Sequence, residues 1–178
     1  MTVSDTHSLP IIGWRERVAL LDLNISSVKA KIDTGARSSA LHAFDIEIFK
    51  QGGAEFVRFK VHPSQRNRKK VVMAEAKLLD MRKVRNSGGK SEVRPVVETT
   101  VSTVNQQWSI ELTLTNRDVM GFRMLLGRQA VRDRFLVNPA QSYLQSPVRK
   151  RKLKGRKKIK HENSHSVEKI ISLFDTST

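Results

Sequence analysis

The 178-residue chain has no cysteine and only ten aromatic residues: seven Phe, two Trp and one Tyr. Without cysteine there is no disulfide framework, no thiolate zinc site and no thiol nucleophile. Long apolar runs are missing too. Stretches such as Val18 to Leu21 and Met124 to Leu126 fall far short of the roughly 20 residues that a membrane-spanning helix needs. The first residues lack a basic start followed by an apolar stretch, so no secretory signal is expected. No phosphate-binding loop of the Gly-x4-Gly-Lys-Ser/Thr type occurs, which removes the usual ATP site. The few aromatics fall mostly on phases that read as core, with no stacking face interleaved with bases. These absences leave a small, soluble protein, expected in the cytoplasm, with 38% hydrophobic residues to build one core.

Acidic residues are also scarce, at 17 against 33 Lys+Arg, a formal charge of +16. The surplus sits in two blocks. Residues 148–178 carry ten bases and three acids, and residues 58–94 carry twelve bases and three acids. The remainder holds eleven of each. The run from Arg149 to Lys160 repels itself and has little apolar area to bury, so 147–178 is read as a basic, largely disordered tail. Such an arm fits RNA or ribosome contact through phosphates, or a purely solubilising appendage. Val167, Ile170, Ile171 and Phe174 within it have the spacing of a two-turn amphipathic helix.

Residues 1–10 read as a flexible leader, and 11–146 as one domain dominated by period-two alternation. Val28, Ala30 and Ile32 alternate with lysines. Phe44, Ile46 and Ile48 alternate with acids, and Val57, Phe59 and Val61 follow a Gln51-Gly52-Gly53 turn. Trp108, Ile110, Leu112 and Leu114 give a fourth strand. Asn86-Ser87-Gly88-Gly89 reads as a hairpin tip between arms at 78–85 and 93–104. Only Gln129 to Phe135, after Gly127, suggests a short helix. Many short strands with glycine turns predict an all-β fold, a small closed barrel or a sandwich.

The sharpest local feature is Lys31-Ile32-Asp33-Thr34-Gly35-Ala36. A strand delivers an acid into a turn whose glycine lets backbone N–H groups approach the carboxylate. Thr34 can lock that loop through its hydroxyl. About ninety residues later, Met124-Leu125-Leu126-Gly127-Arg128 is an apolar strand that ends at Gly-Arg before the helix.

These two segments, in this order, resemble the retropepsin-like aspartic peptidases. In that family Asp-Thr-Gly-Ala carries the catalytic aspartate, a glycine-tipped hairpin forms the flap, and a Leu-rich Gly-Arg segment leads into the last helix. More narrowly, Ile12 to Glu16, Lys29 to Ala43, Arg94 to Val97 and Leu112 to Arg128 resemble the bacterial branch associated with RimK-type ATP-grasp glutamate ligases. The resemblance covers residues 11–144 and implies a small closed acid-protease barrel with one short C-terminal helix.

It further implies Asp33, Thr34 and Gly35 as catalytic residues, with Leu126, Gly127 and Arg128 supporting them. Two carboxylates are needed, and only one Asp-Thr-Gly is present, so the resemblance implies a homodimer. Where the retroviral enzymes have an acid after Ala, this chain has Arg37, which would repel Arg128 if the two were placed alike. Arg37 either grips substrate carboxylates or is a surface residue. By the resemblance the 58–94 block overlaps the flap. Ala36, Arg37, Arg82, Arg85 and Arg94 are then the candidate substrate contacts, and an acidic peptide or protein tail the candidate partner. The branch's ligases append glutamates to a ribosomal protein, which suggests trimming of glutamate-rich tails.

No cofactor is expected. His-Glu-x-x-His is absent, and His42, near Asp45 and Glu47, is the one candidate zinc ligand in the body. His42 also reads as a packed histidine behind the Asp33 loop. The reading from another class is an RNA- or ribosome-binding protein on a catalytically inactive retropepsin-like fold, with Asp33 as a turn acid.

Overall fold

The computed structural model describes residues 9–146 apart from 66, 68, 86, 87 and 117–120. The tail at 147–178, its two-turn helix, residues 1–8 of the leader, and the hairpin tip at Asn86 and Ser87 lie outside the described residues.

Among the described residues twelve strands, a 3-10 turn and one α-helical turn follow in chain order: β1 (Ile11–Gly13), β2 (Arg15–Leu20), the 3-10 turn (Leu21–Leu23), β3 (Ile25–Asp33), β4 (Ser39–His42), β5 (Phe44–Gln51), β6 (Ala54–Val61), β7 (Val72–Lys77), β8 (Asp80–Arg85), β9 (Ser91–Ser102), β10 (Gln107–Thr115), β11 (Met124–Gly127), α1 (Arg128–Val131) and β12 (Leu136–Asn138). The principal sheet runs β10-β4-β11-β3-β2-β9-β8, and β9 also pairs with β10. That extra pairing closes six strands into a ring, which removes the free edges that an open sheet would carry. The long β9 makes closure feasible: Val101 and Ser102 pair with β2 while 96–102 pair with β10. The fold is all-β, as the alternation predicts.

Alternation explains the lining. On β3, Val28, Ala30 and Ile32 are buried while Lys29 and Lys31 face outward, and on β10 Ile110, Leu112 and Leu114 are buried. With Leu41, Val97, Val101, Met124 and Leu126 they form one apolar core. Each such side chain contributes about 1.5–3 kcal/mol when fully buried. Val57, Phe59 and Val61 of the separate β5-β6-β7 meander join the same core. The turn between β5 and β6 uses Gly52 and Gly53 at φ 57° and 78°, where a side chain would be strained.

Two expectations are corrected. On β5, a register shift between Phe44 and Glu47, with Asp45 at φ 51°, breaks the phase. Phe44, opposite Lys60, falls on the outer face of the meander, Ile46 packs half-buried against the core, and Ile48, opposite Val57, is 43% exposed, while Phe49 pairs with Phe56 on the face that carries Arg58. The helix expected over 129–135 is a single turn at Arg128–Val131. Arg132, at ψ 139°, leaves the helical conformation and ends it, and Asp133 follows in the left-handed region at φ 61°. Among the described residues, no helix is long and apolar enough to cross a membrane.

Candidate active site

β3 and β11 run parallel, with Gly127 opposite Asp33, so both strands end at the same rim of the barrel. Beyond Asp33 the chain turns sharply to enter β4. The turn is organised by the carboxylate: Asp33 Oδ1 accepts the N–H groups of Gly35 and Ala36, each at 3.1 Å. A Cβ on Gly35 would lie 3.4 Å from that same oxygen, an ordinary contact distance. Asp33 is half-buried, while Thr34 and Gly35 are exposed.

The end of β11 clamps this loop from outside. The N–H groups of Arg128 and Gln129 donate to the carbonyls of Ala36 and Arg37, at 2.8 and 3.1 Å. Gly127 N–H donates to Ser39 Oγ at 3.1 Å, and Ser39 in turn accepts Thr113 Oγ1 on its carbonyl. Arg128 Nη1 donates to the Thr34 carbonyl at 2.9 Å. The structure thus engages Thr34 through its carbonyl, rather than the hydroxyl that the sequence suggested. Arg128 uses a main-chain oxygen where an acid after Ala36 would otherwise meet it. Leu126 is fully buried behind the loop. Buried Ser39 was not singled out from the sequence. Its signal was slight, a hydroxyl at the first position of the strand after the loop.

The arginines at 37, 82, 85 and 94 occupy different settings. Arg37 and Arg85 are exposed. Arg82 spans Glu111 at 2.6 Å and Asp80 at 3.3 Å, and its pKa is raised chiefly by the hydrogen bond to Glu111. Arg94 is 6% exposed and pairs with Glu92 at 3.0 Å. Elsewhere in the basic block, Arg58 is held by Glu75 at 2.6 Å and Lys60 by Asp45 at 3.0 Å. Much of this block is therefore charge-compensated by neighbouring strands.

His42 is buried at 7%, and its main-chain N–H donates to the Arg123 carbonyl. Its sequence neighbours Asp45 and Glu47 turn to Lys60 and Arg58 on β6. Among the described residues no group of three His, Asp or Glu could hold a metal ion.

A second carboxylate was overlooked in the sequence. Glu16 is fully buried and accepts Gly13 N–H at 2.8 Å and Leu144 N–H at 2.9 Å on Oε1. Its Oε2 accepts Gln145 N–H at 3.2 Å and the Ser146 hydroxyl. It straps residues 144–146 to the start of β2.

A family model described as "Retropepsin-like aspartic endopeptidase RimB" matches residues 11–148. Two relatives named "Probable alpha-L-glutamate ligase" are 42% identical over 160 residues, from Desulfotalea psychrophila, and 44% over 133 residues, from Shewanella pealeana. The alignments take in 90% and 75% of this chain but 34% and 29% of those proteins, so the chain spans about a third of their length. A Legionella pneumophila protein of unknown function has a crystal structure similar to this one, with TM-score 0.66 and 30% identity. That match covers 77% of this chain and 98% of the other.

Proposed function

The chain belongs to the RimB-like family of retropepsin-like aspartic endopeptidases, and from this we propose that it hydrolyses peptide bonds with Asp33, acting on acidic, glutamate-rich protein tails. The observation that carries the reading is the Asp33 carboxylate. Oδ1 is fixed by two main-chain N–H groups, and no described residue bonds Oδ2. A carboxylate anchored on one oxygen is oriented to take a proton from water on the other.

The chemistry needs a partner acid, and the chain has one Asp-Thr-Gly. A second copy supplies it, bringing two Asp33 side chains together across a two-fold axis. Two carboxylates about 3 Å apart share one proton. The ionised member takes a proton from water as the water oxygen bonds the scissile carbonyl carbon, the neutral member donates to the carbonyl oxygen, and the C–N bond breaks as the first member passes its proton to the leaving amine. Exposed Arg37, beside the Asp33 loop, suits recognition of substrate carboxylates. The glutamate preference draws support from the ligase names of the longer relatives.

Incubating the full chain with a peptide ending in several glutamates, alongside Asp33→Asn, tests the reading, with solution mass followed by light scattering. Cleavage by the dimer that disappears in Asp33→Asn is expected. A confirmed dimer that leaves the peptide intact between pH 5 and 7 sinks it.

A further inference from the structure

Four cations stand in two cross-strand pairs on the outer face of β2 and β3. Arg15 is opposite Lys31, and Arg17 is opposite Lys29. The intervening residues Glu16, Val18, Val28 and Ala30 are buried, so the four cations share the outward phase. Like charges directly opposite destabilise an antiparallel pair. No ion pair to an acid relieves these among the described residues, and Glu16, the one acid between them, points inward to its four hydrogen bonds. This contrasts with Arg58, Lys60, Arg82 and Arg94, each matched to an acid.

Aromatic rings seat the cations. The Arg15 guanidinium lies 4.5 Å from the Trp14 ring centroid and 5.2 Å from that of Tyr143. The Lys29 ammonium lies 4.6 Å from the Phe122 ring, which meets Trp14 edge-on. Arg15 Nε also donates to Ser142 Oγ at 3.0 Å. The patch is thus partly pre-ordered, with N–H groups left to meet an anion.

We propose that this outer β2–β3 face is a docking surface for an acidic peptide segment, separate from the bond that is cut. Two observations select a peptide over a nucleic acid. The rings already carry the chain's own cations, which does not suit base stacking. And Lys29, Lys31 and Asp33 occupy alternate positions of one strand, so an acidic chain gripped by the row lies beside the strand that ends at Asp33. The choice of an acidic chain rests on the function proposed above, whereas the existence of an anion site rests on the charges alone.

The test titrates the isotope-labelled full chain with a peptide of ten glutamates, following backbone amides by NMR, and repeats binding with Arg17→Glu/Lys31→Glu. The double variant turns both like-charged pairs into opposite-charged ones. Shifts at residues 15–17 and 29–31 are expected. So are a loss of affinity on the order of tenfold or more, a weaker dependence on salt, and a melting temperature no lower than that of the unaltered chain. Shifts confined to other residues, or unchanged affinity in the variant, overturn the proposal. The mapping on the unaltered chain decides the matter even where the variant folds poorly. A uridine oligonucleotide of equal charge that moves these amides while the peptide does not also overturns it. Turnover is a separate readout: binding without cleavage removes the peptidase reading and leaves this surface standing.

Discussion

Gly127 lies so close to Ser38 that a Cβ on Gly127 would stand 2.5 Å from both the carbonyl carbon and the oxygen of Ser38, and 2.9 Å from Ser39 N. All three atoms are main chain, in the segment that leaves the Asp33 loop. No side-chain rotation can make room. The glycine of the Gly-Arg pair is therefore required by the distance between two backbones, which is how a remote strand holds the aspartate loop in place.

Gly127→Ala should consequently cost about 3 kcal/mol, at the upper end for forcing a methyl into a packed site. It should also displace the loop that carries Asp33. Denaturant unfolding gives the stability, and turnover should fall more than the population of folded protein does. A fully stable Gly127→Ala would mean that the two segments move apart freely.

The Arg128 side chain reaches the same loop from the exposed side, through one hydrogen bond to the Thr34 carbonyl. Its removal should cost less than about 1 kcal/mol, since water competes for both groups. If it acts by holding the loop, Arg128→Ala should lower kcat several-fold with KM little changed. A rise in KM alone would indicate substrate contact instead.

Asp22 sits in the tight turn between β2 and β3, and its Oδ2 accepts the Thr100 N–H of β9 at 2.6 Å. That hydrogen bond lowers its pKa below the ordinary 3.8. A folded value below the unfolded one means that its stabilisation is fully present above pH 3.8 and is lost as pH falls through the depressed value. Because the group is exposed, the amount stays below about 1 kcal/mol after solvent screening. Carboxyl NMR titration should place its midpoint below 3.8. A midpoint at or above that value would show that the hydrogen bond does not persist in solution.

Much of this organisation was legible in the sequence because a half-buried strand writes its own period. Val28, Ala30 and Ile32 line the barrel as their alternation requires, and the Asp-Thr-Gly turn and the Gly-Arg segment stood out as motifs. What escaped depends on pairing between strands. The alternation on β5 fails at Phe44, which the shift at Asp45 places opposite Lys60, because register is a property of two strands. The neutral balance of the residues outside the two basic blocks concealed Arg15 facing Lys31, a matter of β2–β3 register. Conversely, the basic block at 58–94 looked like a continuous rim, although Arg82 meets Glu111 from a strand 29 residues away. The aromatics also divide: Trp108 is core, as its phase predicted, whereas Trp14, Phe122 and Tyr143 meet cations at the surface.

Glu16 was read only as part of a motif, yet it is a fully buried carboxylate serving four donors from Gly13, Leu144, Gln145 and Ser146. Three of these are main-chain N–H groups that nothing else would satisfy once the acid is gone. Glu16→Ala should therefore destabilise by about 3–5 kcal/mol, the range for leaving a buried polar network without its partner. Glu16→Gln keeps the shape but turns an NH2 group toward at least one main-chain N–H that can only donate, so about 2 kcal/mol should be lost. Ser146→Ala removes one donor to the carboxylate and the acceptor of the Arg17 N–H at 2.6 Å, and should fall lowest, near 1 kcal/mol. Urea midpoints should rank the three in that order. If Gln matches Glu, the negative charge is not what the strap requires, and residues 144–146 are held by shape alone.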